Sequence, residues 1–383
     1  MTRIVFLLGS AYPSPKAYSI TTFSMSRAFE KLGLDVDIYA YPSEYTENDY
    51  KKSKNKINYF QIAKLVTIIR KYALSNSGKT NQLAFALSHF LTMLKNRKMI
   101  EVSKKDKVIT RDLITFLAST LLFDAEIFFE IHDSIGKRKA KAFKSIFGKN
   151  NVFLLPTTTA IADDLIKYGL VNFVVAPVGI DIEEMNLHSY DTKASSALFS
   201  VGYVGKFTSS GIQKGITDLV DLANYFQKKD FPGYVHLVGA SDNEMAQMKD
   251  LIESRKINMK YIRITQHVPH SEALDFIANF DAVVLTKFES SRYKGIPLKA
   301  MEICYLANRI IVADSASNRS IFNNLNVPFW YAQGDTLSLF DAVSESKACL
   351  NLAARRELAR NIATKNSWDS RAKNVLKMGS EIV

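Results

Sequence analysis

Cysteine and long apolar runs are scarce in this chain of 383 residues. Its two cysteines, Cys304 and Cys349, lie in apolar helical patterns, with no partner at ligand spacing. We therefore expect reduced thiols rather than a disulfide or a metal site. The apolar run at residues 4–8 has the length of a strand, and the run at 113–123 is too short to span a bilayer. These absences predict a cytoplasmic protein without a transmembrane segment.

Acidic residues are scarce in the first half of the chain. Residues 1–180 contain 26 lysines and arginines against 15 acidic residues, a net charge of +11, whereas residues 181–383 contain 24 against 23. The excess is concentrated in clusters at 51–56, 104–107 and 137–141. A solvated face is one interpretation, and a surface that binds anionic lipid or a phosphate-bearing acceptor is another. Nucleic acid is disfavoured because aromatic residues do not alternate with the basic runs.

Short β-rich runs alternate with helical patterns from end to end, which predicts an α/β fold with parallel sheets. The length suits two domains, with a boundary in the Pro- and Gly-containing stretch at 176–181. Strands are predicted at 3–8, 36–39, 107–109, 127–131, 152–155 and 173–176, then at 198–204, 234–238, 261–264, 282–285 and 309–312. Helices are predicted at 20–32, 214–227, 243–255, 271–279, 298–306 and 319–324, with only helices afterwards, ending at 366–378.

A strand–loop–helix segment at residues 203–215 is the first candidate site. A hydrophobic strand leads into Gly205 and Lys206, a Ser/Gly-rich loop follows, and a helix is expected to begin near Lys214. Small residues, helix N-terminal amides and two lysines suit a diphosphate. The spacing is neither that of a Walker A loop nor GxGxxG, which disfavours nicotinamide dinucleotides. An ordinary loop with exposed lysines is the alternative interpretation.

The second candidate segment has Gly295-Ile296-Pro297 before an apolar helical pattern that begins at Leu298. Glycine and proline there predict a helix start with free backbone amides. Glu302 is the one carboxylate on that helix, three residues after Lys299. It would either form a surface pair with Lys299 or accept hydrogen bonds from vicinal hydroxyls such as those of a ribose.

These two segments, together with Val-Gly-Ile-Asp at 178–181 and Ser-Trp-Asp-Ser-Arg-Ala at 367–372, resemble the retaining glycosyltransferases of family 4. The resemblance implies the GT-B fold, in which two Rossmann-like domains face each other across a cleft. Residues 1–180 would form the acceptor-binding domain and residues 181–365 the nucleotide-sugar-binding domain. Residues 366–383 would form a C-terminal helix that returns to the N-domain.

The implied activity is transfer of a sugar from a UDP- or GDP-sugar to a glycan or lipid-linked acceptor with retention of configuration. Lys206 and Lys214 would stabilise the departing diphosphate, whose charge grows in an oxocarbenium-like transition state. No cofactor or metal is implied, because lysines and helix amides take the place of Mg²⁺. The other expected donor-binding residues are Gly205, Gly239, Gly295, Ile296, Pro297, Leu298, Lys299, Glu302, Glu289 and Lys16.

The sequence departs from the family pattern at three places. The family's second carboxylate would stand at Lys294, and the nearest one here is Glu289. The first loop lacks a Gly-Gly pair, although Lys16 could face phosphate. Arg111 stands where many members carry a histidine. His132, after the next strand, is expected to orient the acceptor hydroxyl or contact the sugar, with a structural hydrogen-bonding role as the alternative.

Two other functions remain open from the sequence. A non-catalytic nucleotide-sugar-binding scaffold is favoured by Lys294 and Arg111, and an epimerase of the same fold would use a carboxylate pair. The expected partners are a nucleotide-sugar donor, a glycan or lipid-linked acceptor such as a nascent polysaccharide, and an anionic membrane surface, with no nucleic acid. The corresponding location is the cytoplasm, peripherally at the inner face of the membrane.

Overall fold

The computed structural model describes residues 2–14, 16–43, 56–62, 66, 79–142, 144–188, 198–209, 212–286, 298–322 and 326–380. The chain divides into two compact units, Met1–Pro177 with Trp368–Val383, and Val178–Ser367. Each unit contains a six-stranded sheet in which all neighbouring strands are parallel. The predicted α/β class with parallel sheets is confirmed.

The sheet of the first unit has the strand order β3-β2-β1-β4-β5-β6. Its strands are β1 (Arg3–Ala11), β2 (Asp35–Tyr41), β3 (Lys56–Tyr59), β4 (Lys107–Thr110), β5 (Glu126–Ile131) and β6 (Val152–Pro156). Every residue of β4 and of β6 is buried, since helices cover both faces of a parallel sheet.

The first six described helices belong to this unit. They are α1 (Ala17–Lys31), α2 (Lys79–Ile100), α3 (Leu113–Leu122), α4 (Lys137–Ala142), α5 (Lys144–Phe147) and α6 (Thr159–Lys167). Asp112 begins α3 because its carboxylate accepts the backbone N–H groups of Ile114 and Thr115. Phe147 of α5 stacks on Phe116 of α3, which fixes both helices on one face of the sheet.

The sheet of the second unit has the order β11-β10-β7-β12-β13-β14. Its strands are β7 (Phe199–Val204), β10 (Gly233–Ala240), β11 (Ile262–Gln266), β12 (Ala282–Leu285), β13 (Ile310–Ala313) and β14 (Phe329–Tyr331). A separate antiparallel pair, β8 (Thr208–Ser209) and β9 (Ile212–Gln213), follows β7.

The second unit's described helices surround this sheet. They are α7 (Ile182–Leu187), α8 (Ile216–Lys229), α9 (Asp242–Ser254), α10 (His270–Asn279), α11 (Leu298–Leu306), α12 (Ala316–Phe322), α13 (Thr336–Ala348) and α14 (Leu352–Lys365). Gly202 in the middle of β7 lets the ring of Phe280 lie against the strand, because a Cβ at this position would be 1.9 Å from that ring.

The last described helix, α15 (Trp368–Ser380), belongs to the first unit. It packs on α1, and its Arg371 forms a buried ion pair with Glu130 at the end of β5. The residue before this helix, Ser367, forms a parallel bridge with Ile180 in the second unit. The chain passes between the two units at 177–178 and at 367–368.

Several predicted elements differ from the structure. The strand expected at 173–176 is reduced to an isolated parallel bridge between Phe173 and Leu154, although the backbone N–H groups of Val174 and Ala176 donate to the carbonyls of Leu154 and Pro156 in β6. The expectation of helices only after residue 324 is wrong, since β14 completes the second sheet. Strands β3, β8 and β9 and helices α2 to α7 were not predicted. The boundary after Pro177 lies within the predicted stretch at 176–181, three residues before the expected end of the first domain at residue 180.

Candidate functional site

The carboxyl ends of β7 and β10 form the first part of the site in the second unit. Gly205 follows β7 with a φ of 135°, and Gly239 in β10 has a φ of 114°, both in the region that favours glycine. A Cβ on Gly239 would lie 2.6 Å from the carbonyl oxygen of Gly205. The two glycines allow this close approach, and the carboxyl edge of a parallel sheet is where α/β proteins commonly bind ligands.

Lys206 and Lys214 flank the short β8–β9 pair beside this edge. Lys206 is exposed and Lys214 is half-buried. The backbone N–H of Lys214 donates to the carbonyl of Phe207 at 2.9 Å, which ties the end of the pair to its beginning. Burial, and then the positive charge of Lys206, lowers the pKa of Lys214. The two ammonium groups are thus close enough to repel each other.

Lys299 brings a third ammonium group to the same edge from α11. Its Nζ donates to the carbonyl of Val204 at 3.2 Å and lies 4.0 Å from the centre of the Tyr203 ring. A Cβ on Gly205 would be 3.2 Å from this Nζ. Burial, and then the charge of Lys214, lowers the pKa of Lys299 to about 7. An anion bound here would relieve both the repulsion and the loss of hydration.

The helix α8 begins next to these lysines. Its N-cap is Gly215, with a left-handed φ of 67°, and the helix is 14 residues long. The first-turn amides of such a helix attract anions. The β8–β9 pair is attached to the neighbouring α9, because the hydroxyl of Thr208 donates to Glu244 at 2.7 Å. Glu244 also completes a capping box with Ser241, a sequence signal that could have identified it.

Glu302 has a partner that the sequence did not reveal. Its Oε1 is 2.8 Å from Nε2 of His270, and Nδ1 of His270 is 3.6 Å from Glu184. Burial alone would lower the pKa of His270, but the charge of Glu302 and hydrogen bonds to Glu184 and Glu302 raise it to about 11. The histidine is therefore a cation, held between two carboxylates.

The alternative of a Lys299–Glu302 surface pair is wrong. Lys299 donates inwards to Val204, whereas Glu302 accepts from His270, and its side chain is only 14% exposed. Leu298, the first residue of α11, is half-buried. Gly295, Ile296, Pro297, Glu289 and Lys294 lie outside the described residues.

Two predicted residues of the first unit, Arg111 and His132, lie near Glu130, at the carboxyl ends of β4 and β5. Nε2 of His132 is 3.4 Å from Glu130, and Arg371 forms an ion pair with the other oxygen of the same carboxylate. Burial would raise the pKa of Glu130, but Arg371 and then His132 lower it to about 2. Arg111 lies above the ring of Tyr18, 5.9 Å from its centre.

Burial lowers the pKa of His132 more than the hydrogen bond to Glu130 raises it, and the charge of Arg111 lowers it further, which favours the neutral ring. An ionised carboxylate only accepts hydrogen bonds, so Nε2 carries the proton towards Glu130. Nδ1 is then left as an acceptor, which could receive a hydroxyl proton. Glu130 and Arg371 were not predicted as a pair, because 241 residues separate them.

Lys16 directly precedes α1, where it is the N-cap residue without a side-chain cap bond. Of the two cysteines, Cys304 is buried and Cys349 is half-buried, and both are free thiols. Within the described ranges, no group of three or more His, Cys, Asp or Glu side chains is placed to hold a metal ion. The same part of the chain contains no helix that is long and apolar enough to cross a bilayer.

Neither a protein-family model nor a curated protein matches the sequence. Solved structures do match over the whole chain. A glycosyltransferase from Rickettsia africae has a TM-score of 0.73 at 16% identity, with 100% of this chain and 98% of that one covered. An E. coli trehalose-6-phosphate structure bound with UDP-2-fluoro glucose has a TM-score of 0.71 at 13% identity, with 99% of both chains covered.

A trehalose-6-phosphate synthase, examined with bisubstrate glycomimetics for glycosyl transfer with retention, has a TM-score of 0.70 at 14% identity. The match covers 100% of both chains. At such low identity these likenesses establish the fold alone, which is GT-B.

Proposed function

With the GT-B fold as the premise, we propose that this protein is a retaining glycosyltransferase. It binds a nucleotide-sugar donor in the second unit and transfers the sugar to a hydroxyl of a glycan or lipid-linked acceptor. One observation carries the proposal: three lysines, Lys206, Lys214 and Lys299, converge on the glycine-lined edge of β7. Such a concentration of positive charge, partly desolvated at Lys214 and Lys299, suits a nucleoside diphosphate.

The lysines act on the leaving group. As the glycosidic bond to phosphate breaks, the diphosphate accumulates negative charge, and preorganised cations stabilise that charge more than the ground state. Lys206 and Lys214 lie in the segment between β7 and α8, and we assign them to stabilising the departing diphosphate. Lys299 is bound to the Val204 carbonyl, so we assign it to supporting the Gly205 turn from below and adding charge to the site.

Glu302 is proposed to bind the ribose of the donor. Its carboxylate is anchored by His270 at one oxygen, which leaves acceptor capacity for vicinal hydroxyls. In the first unit, the neutral His132 is proposed to orient the acceptor hydroxyl, with Glu130 and Arg371 fixing its ring. The acceptor proton can then pass to the departing phosphate, so no protein nucleophile is needed.

The acceptor class follows from charge. Residues 1–180 have a net charge of +11, which attracts anionic acceptors and the anionic surfaces in which lipid-linked glycans are embedded. We therefore propose a peripheral location at such a surface.

The test is release of UDP or GDP from a panel of nucleotide sugars, with and without glycan acceptors. Lys214→Ala and Glu302→Ala should each reduce kcat/KM by at least about 10²-fold. Lys228→Ala, at the exposed last turn of the same helix α8, is the matched control and should be unchanged.

Three results would contradict the proposal. Donor binding without turnover in any acceptor mixture indicates a scaffold, and conversion of the donor into an epimer indicates an epimerase. Equal losses in Lys214→Ala and Lys228→Ala would also contradict it, because the loss would then not depend on position at the strand edge.

A further inference from the structure

The helices α4 and α5 carry an unusual concentration of one charge. Residues 134–162 contain six lysines and arginines and no carboxylate. All six side chains are exposed, whereas the two helices bury only Ala140 and Phe147. The cations of this segment are Lys137, Arg138, Lys139, Lys141, Lys144 and Lys149.

Exposed apolar side chains border these cations. Nζ of Lys149 is 3.4 Å from the carbonyl of Thr120, next to Leu121, which is 66% exposed. Nζ of Lys144 would be 3.2 Å from a Cβ on Gly169, two residues before Val171, which is 76% exposed. Exposed aliphatic side chains therefore lie near the cations at two places, and we call the six cations together with Leu121 and Val171 the α4–α5 surface.

Carboxylates do little to neutralise this surface. Asp164 is buried, accepts a hydrogen bond from Ser134 and lies 3.6 Å from Lys167. Asp124 lies 2.8 Å from Lys104, in a different basic cluster. Asp133 and Asp163 are exposed at the margins. The six cations thus outnumber Asp133 and Asp163, the two exposed carboxylates at the margins.

We propose that the α4–α5 surface docks the first unit on an anionic lipid bilayer. Headgroup phosphates attract the cations, and the boundary between headgroups and acyl chains accepts the aliphatic side chains of Leu121 and Val171. A nucleic acid backbone would use the cations but would leave the aliphatic groups in water, so the mixed surface favours lipid. This inference rests on the peripheral location proposed above, whereas it uses no residue of the donor site, so vesicle binding and sugar transfer can fail separately.

The contribution of the cations to membrane binding can be calculated from their number. Each lysine or arginine near an anionic surface strengthens binding about fivefold. Neutralising four of them should therefore weaken binding by a factor on the order of several hundred. The attraction is electrostatic, so salt should weaken the binding of the unchanged protein as well.

The experiment is co-sedimentation of the full chain with vesicles of phosphatidylcholine, with and without phosphatidylglycerol. The test variant replaces four cations by glutamine: Lys137→Gln, Arg138→Gln, Lys139→Gln and Lys141→Gln. The matched control replaces four exposed lysines of the second unit: Lys228→Gln, Lys229→Gln, Lys249→Gln and Lys256→Gln.

We expect the unchanged protein and the control to bind only vesicles that contain phosphatidylglycerol, and the test variant to lose that binding. A third variant, Leu121→Gln with Val171→Gln, should weaken binding even at high salt, where the electrostatic share is screened. Equal binding by test and control variants would overturn the proposal. So would displacement of the protein from vesicles by RNA at equal charge, which would identify the surface as a nucleic-acid site.

Discussion

Replacing His270 by glutamine removes a cation held between Glu302 and Glu184. Glutamine keeps a hydrogen-bond donor near Glu302, so the change mainly removes charge. A rise of the histidine pKa from 6.5 to about 11 would correspond to about 6 kcal/mol if the ring were fully desolvated. The side chain is 39% exposed, and solvent screens the pair, so we expect a loss of about 1–2 kcal/mol in the free energy of unfolding.

The stabilisation of the folded protein by His270 changes with pH in a defined direction. The pKa of His270 is higher in the folded protein than in the unfolded chain, so the folded state binds the proton more tightly. The stabilisation is fully present below the unfolded-state value of 6.5 and is lost as the pH rises through the folded-state pKa. The difference between the unchanged protein and His270→Gln should therefore shrink between pH 6.5 and pH 11.

Urea unfolding of both proteins at several pH values measures this difference, in which the titrating groups that do not interact with His270 cancel. His188→Gln is a suitable comparison, because His188 lies on the same side of the unit with a single carboxylate partner, Asp275, at 2.7 Å. Combining His270→Gln with Glu302→Gln should cost less than the sum of the two changes. A difference that is constant with pH, or that grows at alkaline pH, would refute the reasoning.

Two further predictions follow from buried charges. Arg371→Met should destabilise the first unit by about 3–5 kcal/mol, because Glu130 would stay buried without its partner, and adding Glu130→Gln should restore most of the loss. Urea unfolding measures both variants, and an undiminished loss in the double variant would contradict the pairing. Binding of a nucleoside diphosphate near pH 8 should take up a proton at Lys299, whose pKa is about 7. Calorimetry in two buffers of different ionisation enthalpy detects this uptake, and Lys299→Met should abolish it.

The central strands could be predicted because buried parallel strands are continuous apolar runs. β4, β6 and β12 are buried at every residue, and their positions agree with the prediction to within one residue. Edge strands carry a weaker signal. β3 has no fully buried residue and consists of Lys-Ile-Asn-Tyr, while β14 is only three residues long. Their strand character comes from pairing with a neighbour, not from their own periodicity.

Some residues of the candidate site could be predicted from the sequence, and others could not. Lys206 and Lys214 could be predicted because strand, turn and helix are contiguous in sequence there. His270 could not be linked to Glu302 from the sequence, since 32 residues separate them and their contact depends on how α10 packs beside α11. The interior position of Lys299 was also hidden, because a lysine three residues from a glutamate is typical of a helix surface.

The two basic features of this protein differ physically, and the difference bears on function. The cations of the α4–α5 surface lie in water, so folding incurs no desolvation cost for them. Lys299 is held beneath the Gly205 turn, where both burial and Lys214 disfavour its charge. The excess of positive charge lies in the first half of the chain. The positive charge that folding desolvates at the candidate donor site, that of Lys299, lies in the nearly neutral second half. Apart from the bond of Lys299 to the Val204 carbonyl, such a charge becomes favourable when an anion binds, which is why we propose the donor diphosphate at the strand edge.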